Sequence, residues 1–85
     1  MSKLESLFRI QVEAQLLQNN RSSPDIGEVL AVQAEAERIV EQFYQENADI
    51  VGAEDIDRAR GDFELFLRLI DRTIEKRRKM EAGQA

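Results

Sequence analysis

The chain of 85 residues contains neither cysteine nor histidine. Without cysteine it can form no disulfide, no thiolate metal site and no thiol-based active site. Without histidine it lacks the side chain that most often transfers protons near neutral pH and most often binds metals. These two absences argue against catalysis, and we expect a non-enzymatic protein that uses no cofactor and no metal.

Long apolar runs are also missing, and the N-terminus intersperses charges among its apolar residues. A membrane span needs about 20 consecutive apolar residues, and a secretory signal needs a continuous apolar core. We therefore expect no membrane partner and a cytoplasmic protein. Catalytic and nucleotide-binding motifs are absent from the sequence, and the acids Glu54, Asp55 and Asp57 lack the ligand spacing of a calcium-binding loop.

The net charge of −5 is unevenly placed along the chain. Residues 1–71 hold seven basic and fifteen acidic side chains, whereas residues 72–85 hold five basic and two acidic ones. An acidic body repels phosphate backbones, so we do not expect nucleic acid as a partner. The basic run at 76–79 could bind nucleic acid or anionic lipid, but we favour a solvated helix end whose dipole these cations offset.

Three segments have helical periodicity and none alternates with a period of two, which predicts an all-α fold in one domain, 1–85. Helix 1 is predicted at about 3–18, helix 2 at 24–47 and helix 3 at 53–80, with a frayed tail at 81–85. Ser23 is the expected N-cap of helix 2, with Pro24 as its first residue. A break of helix 3 near Gly61, with Asp62 capping the second part, is the alternative.

Helices 2 and 3 each have an apolar seam with alternating steps of three and four residues, as in helices packed lengthwise. Short connections join antiparallel neighbours. We therefore predict an up-down-up three-helix arrangement, in which helices 2 and 3 form a long antiparallel hairpin and the shorter helix 1 covers part of it. The seam residues are Val29, Val32, Ala36, Ile39 and Phe43 on helix 2, and Ile56, Ala59, Phe63, Phe66, Ile70, Thr73 and Arg77 on helix 3.

Helix 1 has two apolar stripes. The first consists of Leu4, Phe8, Val12 and Leu16, and the second of Leu7, Ile10, Ala14 and Leu17. At 100° per residue the two stripes are separated by a row of glutamines. Two interpretations stay open at this point: both stripes wrap into one wide intramolecular face, or one of them contacts another chain.

Further apolar residues are left uncovered in this predicted arrangement. Helix 1 is too short to cover the whole hairpin, and two leucines of helix 3 lie away from its seam. With the first stripe of helix 1, these give the candidate partner-binding residues Leu4, Phe8, Val12, Leu16, Phe43, Tyr44, Ile50, Val51, Leu65 and Leu69.

This surplus of apolar helix surface predicts a helical protein-protein interaction protein, such as an adaptor, co-chaperone, assembly factor or inhibitor. It would bind another protein or itself, as a homodimer. The alternative is an acidic inhibitor, whose carboxylates on helices 2 and 3 would occupy a basic nucleic-acid-binding groove of another protein.

Overall fold

The computed structural model describes residues 3–19 and 26–83, apart from the side chains of residues 26, 28 and 29. These residues form four helices, α1 (Lys3–Asn19), α2 (Ile26–Asn47), α3 (Ala53–Gly61) and α4 (Phe63–Gly83). No strand occurs in these two ranges, and the predicted all-α class is confirmed. The expected cap at Ser23 and helix start at Pro24 lie outside the described residues.

The segment predicted as one third helix forms two helices instead. Asp62 alone separates α3 from α4, and its backbone is extended, with φ −148° and ψ 109°. Its Oδ1 accepts a hydrogen bond from the backbone N–H of Glu64 at 3.0 Å, so Asp62 is the N-cap of α4. The prediction of a continuous helix is therefore wrong, and the alternative with a capped break is the structure observed. The tail expected to fray from residue 81 is helical as far as Gly83.

Helix α1 runs antiparallel to both α2 and α4. The side-chain pairs that show this are Ser6–Glu46 and Glu13–Arg38 towards α2, and Phe8–Arg78 and Gln11–Asp71 towards α4. Helix α4 packs mainly against α1 and α3, and α3 also packs against α2. The predicted long hairpin of helices 2 and 3, and the up-down-up order built on it, are not confirmed because the break at Asp62 lets α4 fold back along α3.

Aromatic rings of α2 and α4 meet in the core. The ring centroids of Phe43 and Phe66 lie 5.4 Å apart at an interplanar angle of 88°, and Phe63 stands 5.5 Å from Phe66. The edge-to-face contact between Phe43 and Phe66 adds to the stabilisation that burial alone provides. The remaining buried apolar residues are Leu7, Ile10, Ala14, Leu17, Ile39, Val40, Val51, Ile56, Ala59, Leu69, Ile70 and Ile74.

The hairpin end that was expected to stay uncovered is largely buried. Phe43 and Val51 at this end are 0% and 4% exposed, and Tyr44 and Ile50 are half-buried. Leu69, which was predicted to lie off the seam of helix 3, is 5% exposed. The physical reason is the break at 62, because it places the short α3 against both long helices on this side. Phe43, Val51 and Leu69 therefore belong to the core and not to a partner-binding surface.

A buried arginine ties the C-terminal half of α4 to the end of α2. Arg77 is 6% exposed and donates to Asn47 Oδ1 at 3.2 Å and to both carboxylate oxygens of Asp49 at 2.7 and 3.0 Å. Asn47 in turn donates to the carbonyl oxygen of Phe43 at 2.9 Å. The hydrogen bonds from Arg77 lower the pKa of Asp49. Arg77 belongs to two sequence patterns, the predicted seam of helix 3 and the basic run at 76–79. Its burial agrees with the seam and not with a solvated basic run.

Candidate partner-binding site

The two apolar stripes of α1 have opposite surroundings. Leu7, Ile10, Ala14 and Leu17 are all buried. On the other stripe, Phe8, Val12 and Leu16 are 37%, 59% and 58% exposed, and Leu4 is half-buried. Of the two interpretations left open, a single wide intramolecular face does not describe Phe8, Val12 and Leu16, which are exposed in the single chain. We call the set of Leu4, Phe8, Val12 and Leu16, of which Leu4 packs in part against the core, the α1 stripe.

Local sequence sets this orientation of α1. Steps of 100° per residue place the α1 stripe on the side of the helix away from the buried stripe. Because core packing fixes the rotation of α1 about its axis, burying one stripe necessarily presents the other to solvent. The α1 stripe is thus held rigidly on a helix, which suits it to recognise a complementary helix or groove.

Helix α4 covers one end of the α1 stripe in part. The guanidinium carbon of Arg78 lies 5.4 Å from the centre of the Phe8 ring, within the range of a cation–π contact. Next to it, the side-chain amide of Gln11 donates to the carboxylate of Asp71. Val12 and Leu16, one and two turns further along, are the most exposed part of the stripe.

The other predicted partner-binding residues do not join the α1 stripe. Leu65 is 39% exposed, but it lines a separate groove between α3 and α4. Sequence reasoning also missed Leu30, which is 61% exposed. Its position directly after the seam residue Val29 was the available signal, because 100° per residue places Leu30 on the side of α2 opposite to buried Phe43.

The basic run at 76–79 does not form one patch. Arg77 is buried in the core, Arg78 lies over Phe8, and the Lys79 Nζ atom stands 3.7 Å from a carboxylate oxygen of Glu75. The cations therefore point to different surroundings. A continuous site for a phosphate backbone would need them side by side.

Several carboxylates of α2 are engaged by side chains of the same chain. Glu35 accepts hydrogen bonds from Arg38, which lower its pKa, and Glu41 lies 2.9 Å from Arg60. Such pairs partly neutralise the acidic surface that a phosphate-like inhibitor would present.

Within residues 3–19 and 26–83, no three acidic side chains converge so as to hold a metal ion. Across the same ranges, no helix combines the length and the apolar character that crossing a membrane requires.

Comparisons with models of known protein families, with characterised proteins and with solved structures give no match to this chain.

Proposed function

We propose that this chain is a non-enzymatic protein-interaction module that binds another protein molecule through the α1 stripe. The observation that supports this is that α1 buries one apolar stripe and leaves Val12 and Leu16 of the other more than half exposed. A helix that served only its own core would need a single apolar face. In this proposal a helix of the partner packs on the second face. The absence of cysteine fits a cytoplasmic protein.

For the chain in isolation, the proposed partner is a second copy related by a two-fold axis. Complete burial of a Phe, Val or Leu side chain contributes roughly 1.5–3 kcal/mol, so the partly covered stripe contributes roughly 3–5 kcal/mol per copy. A two-fold interface buries the same stripe twice. The doubled contribution is comparable with the cost of association, which starts at about 4 kcal/mol. We therefore expect a weak homodimer.

The double variant Val12→Glu with Leu16→Glu tests this proposal. It places two carboxylates on the α1 stripe, where burial against a partner would be costly, but both positions are exposed in the single chain. We expect unchanged helicity by circular dichroism and lost self-association by sedimentation equilibrium.

A matched control is the double variant Gln33→Glu with Gln42→Glu, which adds the same charge at exposed positions of α2. This control should associate like the wild type. A wild-type protein that stays monomeric at high concentration, or a control that dissociates as fully as the stripe variant, would contradict the proposal.

A further inference from the structure

A groove between α3 and α4 is lined by three arginines that make no ion pair among the described residues. Arg58 comes from α3, Arg68 and Arg72 come from α4, and all three are exposed. The groove has a volume of about 590 Å³. Its floor is apolar, because it is formed by Leu65, 39% exposed, next to the buried Leu69.

Other arginines of the same chain are held by its own acids. The ion pairs are Arg38–Glu35, Arg60–Glu41 and Arg77–Asp49. A guanidinium presents a planar fork of donors that matches a carboxylate in two parallel hydrogen bonds. The three groove arginines have no such internal acceptor in the described ranges, so their donors are available to an external carboxylate.

Two carboxylates also line the groove, and each has a role within the chain. Asp55 lies in the first turn of α3, where a negative charge offsets the helix dipole. Asp71 accepts the amide hydrogen bond of Gln11 on α1. Three arginines against these two aspartates leave the groove net positive on a chain whose net charge is −5.

We propose that this groove binds a short acidic segment of another protein. Carboxylates of the segment pair with Arg58, Arg68 and Arg72, while one of its apolar side chains packs on Leu65. Arg68 and Arg72 are four residues apart on one helix, about 6 Å along its axis, so acids one turn apart on a helical segment match them.

A peptide fits this surface better than a nucleic acid for two reasons. The aliphatic floor at Leu65 offers no ring on which a base could stack. The acidic body of the chain repels a long polyanion, whereas a short segment is confined to the positive groove. The groove shares only Asp71 with the pocket that borders Phe8 of the α1 stripe. Val12 and Leu16 do not line the groove, so variants at these two positions test the α1 stripe separately from the groove arginines.

The experiment uses a fluorescent peptide of about 18 residues, roughly five helical turns, with glutamates flanking a leucine at every fourth position. Anisotropy titration should show binding that weakens as salt is raised. Arg68→Gln with Arg72→Gln should weaken binding about tenfold or more, since each lost charged pair removes a large part of the affinity. The matched control, Lys76→Gln with Lys79→Gln, removes the same charge from the same helix outside the groove and should change binding less than about twofold.

Several outcomes would overturn the proposal. One is no binding, and another is equal binding of a peptide with glutamine in place of every glutamate. A third is an equal loss in the lysine control, and a fourth is tighter binding of an oligo-thymidine strand.

Loss of self-association in the arginine variant would assign the groove to a second copy of this chain instead. Val12→Glu with Leu16→Glu should leave the peptide affinity unchanged, which separates failure of this proposal from failure of the α1 stripe.

Discussion

Arg77 occupies a position that two sequence patterns describe differently. It continues the three-four seam of the third predicted helix, and it also belongs to the basic run at 76–79. A buried guanidinium is tolerated only when acceptors satisfy it. Asn47 and Asp49, which are distant in sequence, supply acceptors for both terminal nitrogens of this guanidinium. Whether Arg77 is buried or solvated therefore depends on residues outside its own helix.

Asp49 is the titratable half of this contact and should make stability depend on pH in the acidic range. Hydrogen bonding by Arg77 lowers the pKa of folded Asp49 below its value in the unfolded chain, about 3.9. The carboxylate therefore stabilises the fold above about pH 4, and this stabilisation is lost as the pH falls through the lowered folded value. Asp49→Asn should be less stable than the wild type near pH 7, with a difference that shrinks as the solution becomes more acidic.

Urea unfolding at a series of pH values measures this difference. Asp57→Asn is a suitable control, because Asp57 is exposed, lies beyond the first turn of α3 and forms no ion pair in the described part of the chain. If the difference between the wild type and Asp49→Asn stayed constant from pH 7 to about pH 2, the ion pair would not be its source.

At the scale of the elements, the single residue Asp62 decides how the second half of the chain packs. A helix continued through Gly61 would extend straight on from α3, so residues 63–83 could not fold back against it. Instead, the extended backbone of Asp62 ends α3, and its side chain starts α4. The sequence contained both signals, a glycine followed by an aspartate, but a glycine inside a periodic segment is also compatible with a weakened continuous helix.

Asp62→Ala should destabilise the protein by about 1 kcal/mol, because the backbone N–H of Glu64 loses its acceptor at the start of α4. Asp62→Asn is the matched control and should retain most of the stability, since asparagine is as good an N-cap as aspartate. Chemical denaturation monitored by circular dichroism measures both changes. Equal losses in the two variants would show that the charge of Asp62, and not its capping oxygen, is what stabilises this junction.

At the scale of the whole molecule, an 85-residue chain has a small stability margin. Typical values of 0.05–0.15 kcal/mol per residue correspond to about 4–13 kcal/mol. Phe66 is 0% exposed and contacts Phe43 and Phe63, so it links α2 to α4 at the centre of this small core. Truncating one such side chain therefore removes a large part of the free energy of unfolding.

Phe66→Ala should therefore lower the free energy of unfolding by about 3–5 kcal/mol, through lost burial and the cavity that remains. Phe8→Ala makes the same chemical change on the partly exposed α1 stripe and should cost less, about 1–2 kcal/mol in the monomer, because part of the ring is already in solvent. Urea unfolding at a concentration that keeps the protein monomeric compares the two. Similar losses would mean that Phe8 contributes to the core as much as Phe66 does.

The sequence by itself determined the all-α class, because hydrophobic periodicity is a local property that residues a few positions apart establish. For the same reason it located both stripes of helix 1 and placed Phe66 and Ile70 on a buried seam. Local signals indicated a break at Gly61 and Asp62 as an alternative. They did not favour this break over a continuous helix.

Only the tertiary structure decided which stripe of α1 faces the core, since two stripes of similar apolar content are equivalent until a partner surface is present. The same holds for Leu65 and Leu69, one turn apart, of which α3 buries Leu69 and leaves Leu65 at the groove. The arginine groove combines α3 with α4, so it exists only because the chain folds back at Asp62. These features depend on contacts between segments that are distant in sequence. A local sequence pattern does not determine the energies of such contacts.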